Sequence, residues 1–327
     1  MEAATAGASA PTAADSELML SLYRRMRLIR RFEEAVQALF LKGEVHGTTH
    51  LYNGEEASAT GVGSTLGKGD KTAGTYRGHG HCLAVGTAPQ GLLDELLGRA
   101  TGVCGGRAGS MNVIDHEHGV IGCYGIVGGS IAAALGASLA LRDTGNVAVA
   151  YFGDGATNQA YFHECLNFAR VFNLPAIFVC ENNLYGEFTP MEQVTAGTIR
   201  SRVEGLDVAY EMVDGMDVWE TRAAALRATE RCRAGRGPAF LEMMTYRFVG
   251  HSRSDPGRYR KPGELERWME RDPLLVGRQR LLEDCGVSAD AVDGIDAEVE
   301  REITDIIERA LAAPWPDPSL PVSAFKP

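Results

Sequence analysis

The chain has 327 residues, 45% hydrophobic and 23% charged, with 39 glycines and 13 prolines, the profile of one large globular domain or two fused ones. Forty-three acids against 32 bases leave a net charge of −11 with histidines neutral, so no basic field exists to draw nucleic acid or anionic lipid. The longest weakly polar run, 131–141, falls short of the roughly 20 residues a membrane-spanning helix needs, and the seven scattered cysteines, with no C-x-x-C pair, exclude a disulfide framework and fit a reducing cytoplasm.

Residues 1–15 have neither the apolar run of a signal peptide nor the arginines of a mitochondrial presequence, and read as a flexible N-terminal tail before a single domain over 16–327. Leu18, Leu22, Met26, Ile29, Phe32, Val36 and Leu39 recur at steps of three or four, marking a helix over 17–42 with Ser16 as N-cap and Gly43 as its stop. From 43 to 130 glycine and histidine abound; helices are expected at 54–66 and 89–97, with loop elsewhere. Between 131 and 245 apolar strands (147–152, 176–180, 208–213, 239–244) alternate with helices (131–142, 157–171, 217–234). That alternation implies a doubly wound α/β fold, a mostly parallel sheet with helices on both faces and ligands at the carboxyl ends of its strands. Residues 250–272 read as one long loop, two helices follow (273–284 and 289–312), and a proline-punctuated tail lays Trp315 against another surface.

Gly153-Asp154-Gly155 ends one expected strand and Glu181-Asn182-Asn183 the next. The glycines allow close backbone approach, and an aspartate and an asparagine at adjacent strand ends offer hard oxygen ligands to Mg2+, which commonly also holds a diphosphate. A helix beginning near Thr157 would aim its amides into the same crevice. Judged alone, the pattern fits equally a capping aspartate and an asparagine turn.

In order along the chain stand His50-Leu51-Tyr52, Gly54-Glu55-Glu56-Ala57, Tyr76-Arg77-Gly78-His79-Gly80, Gly109-Ser110-Met111, Gly125-Ile126-Val127-Gly128 and Gly250-His251-Ser252 with Ser254-Asp255-Pro256. With the Gly-Asp-Gly and Asn-Asn pair, they resemble the α subunit of the heteromeric 2-oxoacid dehydrogenase first component, the family of pyruvate, acetoin and branched-chain oxoacid dehydrogenases. The resemblance runs from about residue 17 to residue 312 and implies the thiamine diphosphate-binding fold.

The resemblance implies that Asp154 and Asn183 bind Mg2+ through side chains and Tyr185 through its backbone oxygen. It implies diphosphate contacts from Tyr76 and Arg77, further ones beside them from Gly155 and Ala156, and aminopyrimidine contacts from Gly125 and Val127. His251 and His50 become active-site histidines, His251 as proton donor and cofactor neighbour, His50 as support. Thiamine diphosphate supplies the carbon nucleophile that attacks an oxoacid carbonyl, and the acyl group passes to a lipoyl sulfur. By the same resemblance the chain works as an α2β2 heterotetramer whose β subunit brings the activating glutamate, with a dihydrolipoyl acyltransferase's lipoyl domain or a carrier protein as acceptor. A specialised two-carbon transferase and a non-catalytic paralogue are the alternative readings.

Some positions depart from the family pattern. Val249 replaces a histidine frequent in pyruvate-type chains, Tyr124 an asparagine, and Gly250-His251-Ser252 stands where branched-chain types show His-His-Ser, which counts against branched-chain oxoacids and leaves the substrate open. Ser252 and Ser254 match loop serines phosphorylated in mitochondrial relatives. His79/His81 and His116/His118 lack cysteine or carboxylate partners at metal-ligand spacing. Lys68, after Gly61-Val62-Gly63, lacks the Ser or Thr of a phosphate loop and marks a helix end. Arg247 and Arg253 either order the long loop or stand solvated.

Overall fold

A computed structural model describes residues 13–319. In chain order the elements are α1 (Ala13–Leu41), α2 (Glu56–Gly63), β1 (Lys71–Thr75), α3 (His79–Val85), α4 (Pro89–Leu96), β2 (Val120–Tyr124), α5 (Gly129–Ala140) and β3 (Ala148–Gly153). A 3-10 turn over Asp154–Asn158 precedes α6 (Ala160–Val171), β4 (Ala176–Asn182), the short hairpin β5 (Tyr185–Gly186) and β6 (Thr189–Pro190), α7 (Met191–Val194) and α8 (Ile199–Glu204). Then come β7 (Ala209–Asp214), α9 (Val218–Arg233), β8 (Ala239–Met244), α10 (Glu264–Met269), α11 (Pro273–Glu283) and α12 (Ala289–Ala312).

Six parallel strands form the main sheet in the order β2-β1-β3-β4-β8-β7. Its central strands are apolar throughout because both faces are covered. Ala148, Ala150, Phe152, Phe178 and Cys180 pack among residues of α5 and α6, while Val149, Tyr151, Ile177 and Val179 pack with Ala224, Ala225 and Ala228 of α9. The expected doubly wound α/β sheet with helices on both faces is therefore present. β1 lies between β2 and β3, so the chain leaves β1 toward one edge while β3 lies on the other side. The loops after β1 and β3 diverge at that point, opening a crevice at their carboxyl ends.

Several expectations need correcting. α1 begins at Ala13, so 13–15 are helical rather than tail and Ser16 lies inside the helix, not at its cap; the expected tail over 1–12 lies outside the described residues. Gly43 stops α1 as expected, with φ +80° and its N–H donating to Phe40 O at 2.8 Å. The stretch read mainly as loop holds β1, β2 and α3, and the 250–272 loop contains α10. The helix expected from Thr157 begins instead at Ala160, after the 3-10 turn. Trp315 does lie against another surface, under the Arg99 guanidinium, where Arg99 also donates to Ala313 O and Ala100 N to Pro314 O.

The first and last long helices close the molecule. Leu28, Ile29, Phe32 and Val36 of α1 share a core with Val299, Ile303 and Ile306 of α12. Arg24–Glu302 and Arg31–Glu300 ion pairs, each 2.6 Å, run along the seam. Inside, Arg30 is sandwiched between Glu56 and Asp272.

Candidate active site

At the carboxyl ends of β1, β3 and β4 lies a cavity of about 390 Å³. It gathers residues scattered through the sequence: Tyr76, Arg77, Gly125, Val127, Gly155, Ala156, Asn183, Tyr185 and His251 line it, as does His50. Asp154 sits between the lining residues Gly153 and Gly155. Every residue expected to bind or react thus falls on or directly behind one surface.

The sheet's register builds one wall. Gly153 of β3 pairs with Glu181 of β4, which brings the two strand ends level and sets Asp154 beside the Asn182-Asn183 turn. Asp154 is 1% exposed, and neither carboxylate oxygen has a hydrogen-bond partner. Burial pushes its pKa up to about 6. The capping alternative fails here, since Asp154 makes no side-chain cap, whereas the turn alternative is realised: Leu184 N donates to Asn182 Oδ1 and Tyr185 N to Asn183 Oδ1. A buried carboxylate without donors is costly unless a cation meets it. With an asparagine oxygen and main-chain oxygens nearby, the donor set is the hard, all-oxygen kind that suits Mg2+. The Tyr185 phenol donates to Glu264 at 3.0 Å, which leaves its main chain as what it offers this wall.

Cationic and carboxylate groups alternate around the floor. Arg77, 5% exposed, donates to Leu51 O and to His251 O and lies 3.4 Å from Glu55. Glu55 also accepts from Asn183 Nδ2 at 2.9 Å, and burial raises its pKa to about 7. Arg247 lines the cavity; one of its terminal nitrogens donates to Glu187 O, and the other is buried without a partner. Two such guanidinium groups facing one cavity favour an anion with several oxygens.

Side chains, not sheet register, hold the opposite wall. His251 N donates to Asp255 Oδ2 at 2.6 Å, and Asp255 also accepts from Gly257 N and Tyr259 Oη. Arg260 donates to the carbonyls of Arg247, Phe248 and Val249, and Arg253 N to Thr49 O. A side chain at Gly250 would overlap Asp255. The rings of His50, Tyr76 and His251 meet at centroid distances of 4.5–5.5 Å. Burial, reinforced by the Arg77 charge, lowers both His50 and His251 to about 3, so both are neutral at physiological pH.

Three further histidines act as structural polar links. His79 is fully buried between Glu33 (3.0 Å) and Ser110 Oγ (2.9 Å) and does not line the cavity. His81 reaches Glu181 at 3.1 Å and stacks on Tyr151, and His118 pairs with Asp115. Among the described residues no three His, Cys, Asp or Glu side chains group to hold a metal ion. Gly63 closes α2, the helix end expected there.

Sequence reasoning gave no role to Glu55 or Glu181, both lining residues, although both stood inside quoted motifs. It left Arg247 between loop-ordering and solvated; at 2% exposure it is not solvated. Arg253 packs over the Phe40 ring.

Comparison with known proteins agrees with this geometry. The family model described as "Dehydrogenase E1 component" matches residues 24–319. The α subunit of acetoin:2,6-dichlorophenolindophenol oxidoreductase from Bacillus subtilis is 41% identical over 311 residues, covering 93% of this chain and 92% of that protein. The pyruvate dehydrogenase E1 component α subunit of Rhizobium meliloti is 41% identical over 304 residues, covering 92% and 87%. Its mitochondrial counterpart from Dictyostelium discoideum is 39% identical, covering 95% and 82%.

Proposed function

The chain belongs to the dehydrogenase E1 component family, and on that premise we propose that it is the α subunit of a thiamine diphosphate-dependent dehydrogenase acting on a pyruvate-like 2-oxoacid or on acetoin. The family implies thiamine diphosphate, and the relatives' designation as α subunits implies a β partner. The observation that carries the reading is Asp154: a buried carboxylate with no hydrogen-bond donor, at the rim of a cavity that two buried arginines face.

In this reading Asp154, Asn183 and the Tyr185 backbone oxygen hold Mg2+. Tyr76, Arg77, Gly155 and Ala156 bind the diphosphate, with Arg247 added to that set by its unpartnered nitrogen. Gly125 and Val127 bind the aminopyrimidine. When bound, the cofactor would supply a carbon nucleophile for the substrate carbonyl, so that the carbon–carbon bond beside that carbonyl can break.

His251 then serves the acyl transfer to a lipoyl sulfur, with His50 in support. In the cationic surroundings described, His251 is a neutral imidazole with one N–H and one free lone pair. Burial is the main cause of the low His251 value, and the Arg77 and Arg247 charges add to it; phosphate oxygens against those arginines would offset the charge part and raise the proton affinity of His251. The loop thereby couples proton donation to a filled diphosphate site.

An α2β2 assembly is supported by the surface beside the cavity. Ile126 is 74% and Val127 42% exposed at the cavity mouth, apolar side chains that a β subunit bringing the activating carboxylate would cover. The acyl acceptor in this reading is the lipoyl domain of a dihydrolipoyl acyltransferase or a carrier protein. No helix among the described residues is long and apolar enough to cross a membrane.

Calorimetric titration of Mg2+ and thiamine diphosphate into the assembled α/β complex tests the reading. Saturable, magnesium-dependent binding that Asp154→Ala abolishes is expected, followed by turnover with pyruvate, acetoin or a related oxoacid. No binding in a verified complex would overturn it in favour of a non-catalytic paralogue.

A further inference from the structure

Asn183 raises a question of orientation. The two ends of an asparagine amide are nearly the same size, yet only the oxygen end can ligate a cation. Something must decide which end faces the metal.

We propose that Glu55 makes that decision and is therefore a positioning residue of the metal and diphosphate site. The inference rests on the function proposed above. Asn183 Nδ2 donates to Glu55 Oε1 at 2.9 Å. Oε1 is the accepting oxygen here and Oε2 faces the Arg77 guanidinium, so a flipped amide would set Asn183 Oδ1 against Glu55 Oε1, two acceptors in contact. The flip is disfavoured and Oδ1 stays turned away from Glu55. Tyr185 N, 3.4 Å from Oδ1, agrees with the same orientation.

Glu55 is itself held firmly. It is 1% exposed at the N-cap of α2, where its N–H donates to Tyr52 O and its carbonyl accepts from Ser58 N. Its second oxygen, Oε2, has no hydrogen-bond partner and faces Arg77 Nε at 3.4 Å. One carboxylate therefore spans a ligand expected for the metal and the arginine expected for the diphosphate, fixing their relative placement. Outer contacts of this kind typically shift metal affinity 10- to 100-fold when lost.

The test measures Mn2+ affinity by electron paramagnetic resonance of the free ion, in the assembled α/β complex at saturating thiamine diphosphate. Glu55→Ala should weaken Mn2+ binding about 10- to 100-fold, and Glu55→Gln should weaken it too, because its amide oxygen turns to Arg77 and leaves its N–H groups facing Asn183, which favours the flipped amide. In the Glu55→Ala background, Asn183→Asp should restore binding, because an aspartate presents oxygen whichever way it turns. Unchanged affinity in Glu55→Ala, or full affinity in Glu55→Gln, overturns the proposal while leaving the cofactor reading standing. Absence of Mn2+ binding in the unsubstituted complex instead overturns the functional reading and this inference with it. If Glu55→Ala does not assemble, the near-isosteric Glu55→Gln decides in the same measurement: lost affinity supports the orienting role, and full affinity shows that Glu55 only packs.

Discussion

The two walls of the cavity are positioned by different means. On the β3/β4 side, hydrogen bonds of the sheet ladder level the strand ends, and Asp154 and Asn183 inherit their places from a register that the whole apolar core enforces. On the loop side, His251 depends on a few side chains: Asp255 on its amide, Arg77 on its carbonyl and Arg260 on the three carbonyls just before Gly250. The first wall can be fully formed without ligand. The second can open locally at the cost of a small number of hydrogen bonds, which suits a region that would admit the acyl carrier proposed above.

Substitutions separate the two walls. The largest effect is expected from Asp154→Ala, which should abolish thiamine diphosphate binding in the complex, read by calorimetry. Asp154→Asn should equally lose binding yet melt higher than the unsubstituted complex when metal and cofactor are withheld, because it removes a buried charge whose pKa burial pushes up to about 6; a lower melting temperature would show that the charge is compensated. Next, Phe178→Ala under the sheet wall should cost about 3–5 kcal/mol of stability, measured by denaturant unfolding, without changing protease sensitivity of the 250–260 loop. Asp255→Ala should do the reverse. It leaves global unfolding nearly unchanged, makes the loop an early cleavage site in limited proteolysis, and lowers turnover roughly 10- to 100-fold, if the amide and phenol bonds it removes act together at about 1–3 kcal/mol.

A pH dependence is the remaining test. His50 and His251 fall from 6.5 to about 3 on folding, so between those values the unfolded chain binds more protons. The stability these groups contribute is fully present above about pH 6.5 and is lost as pH falls toward 3. Replacing both by glutamine should flatten that acid limb, seen as the difference between the two curves of melting temperature against pH. A difference curve that rises with acid instead would mean the histidines are charged in the folded state.

Legibility in the sequence followed the same division. β3, β4 and β8 were readable because burial on both faces makes them short, mainly apolar runs, and β8 was placed to the residue. β1 and β2 were not, since Lys71–Thr75 and Val120–Tyr124 contain threonine, glycine and cysteine that become buried only through pairing with each other and with β3. α10 escaped because its six residues show only one buried position, Glu264. Within the site, residues carried by local motifs were found, whereas Arg247 was left undecided: its importance lies in which distant loops converge on its guanidinium. Glu55 illustrates the limit well, since its partner Asn183 is more than a hundred residues away.

The seam between α1 and α12 has a consequence for synthesis. The apolar face of α1 is made first but finishes its core only with Val299, Ile303 and Ile306. At ribosomal speeds of about 5–20 residues per second, Phe32 and Val36 wait roughly 14–54 s for those partners. α2 and α3 shield part of the face meanwhile. The rest is an uncovered greasy stripe on a nascent chain, so a ribosome-associated chaperone is the first helper whose removal should lower the yield of folded protein.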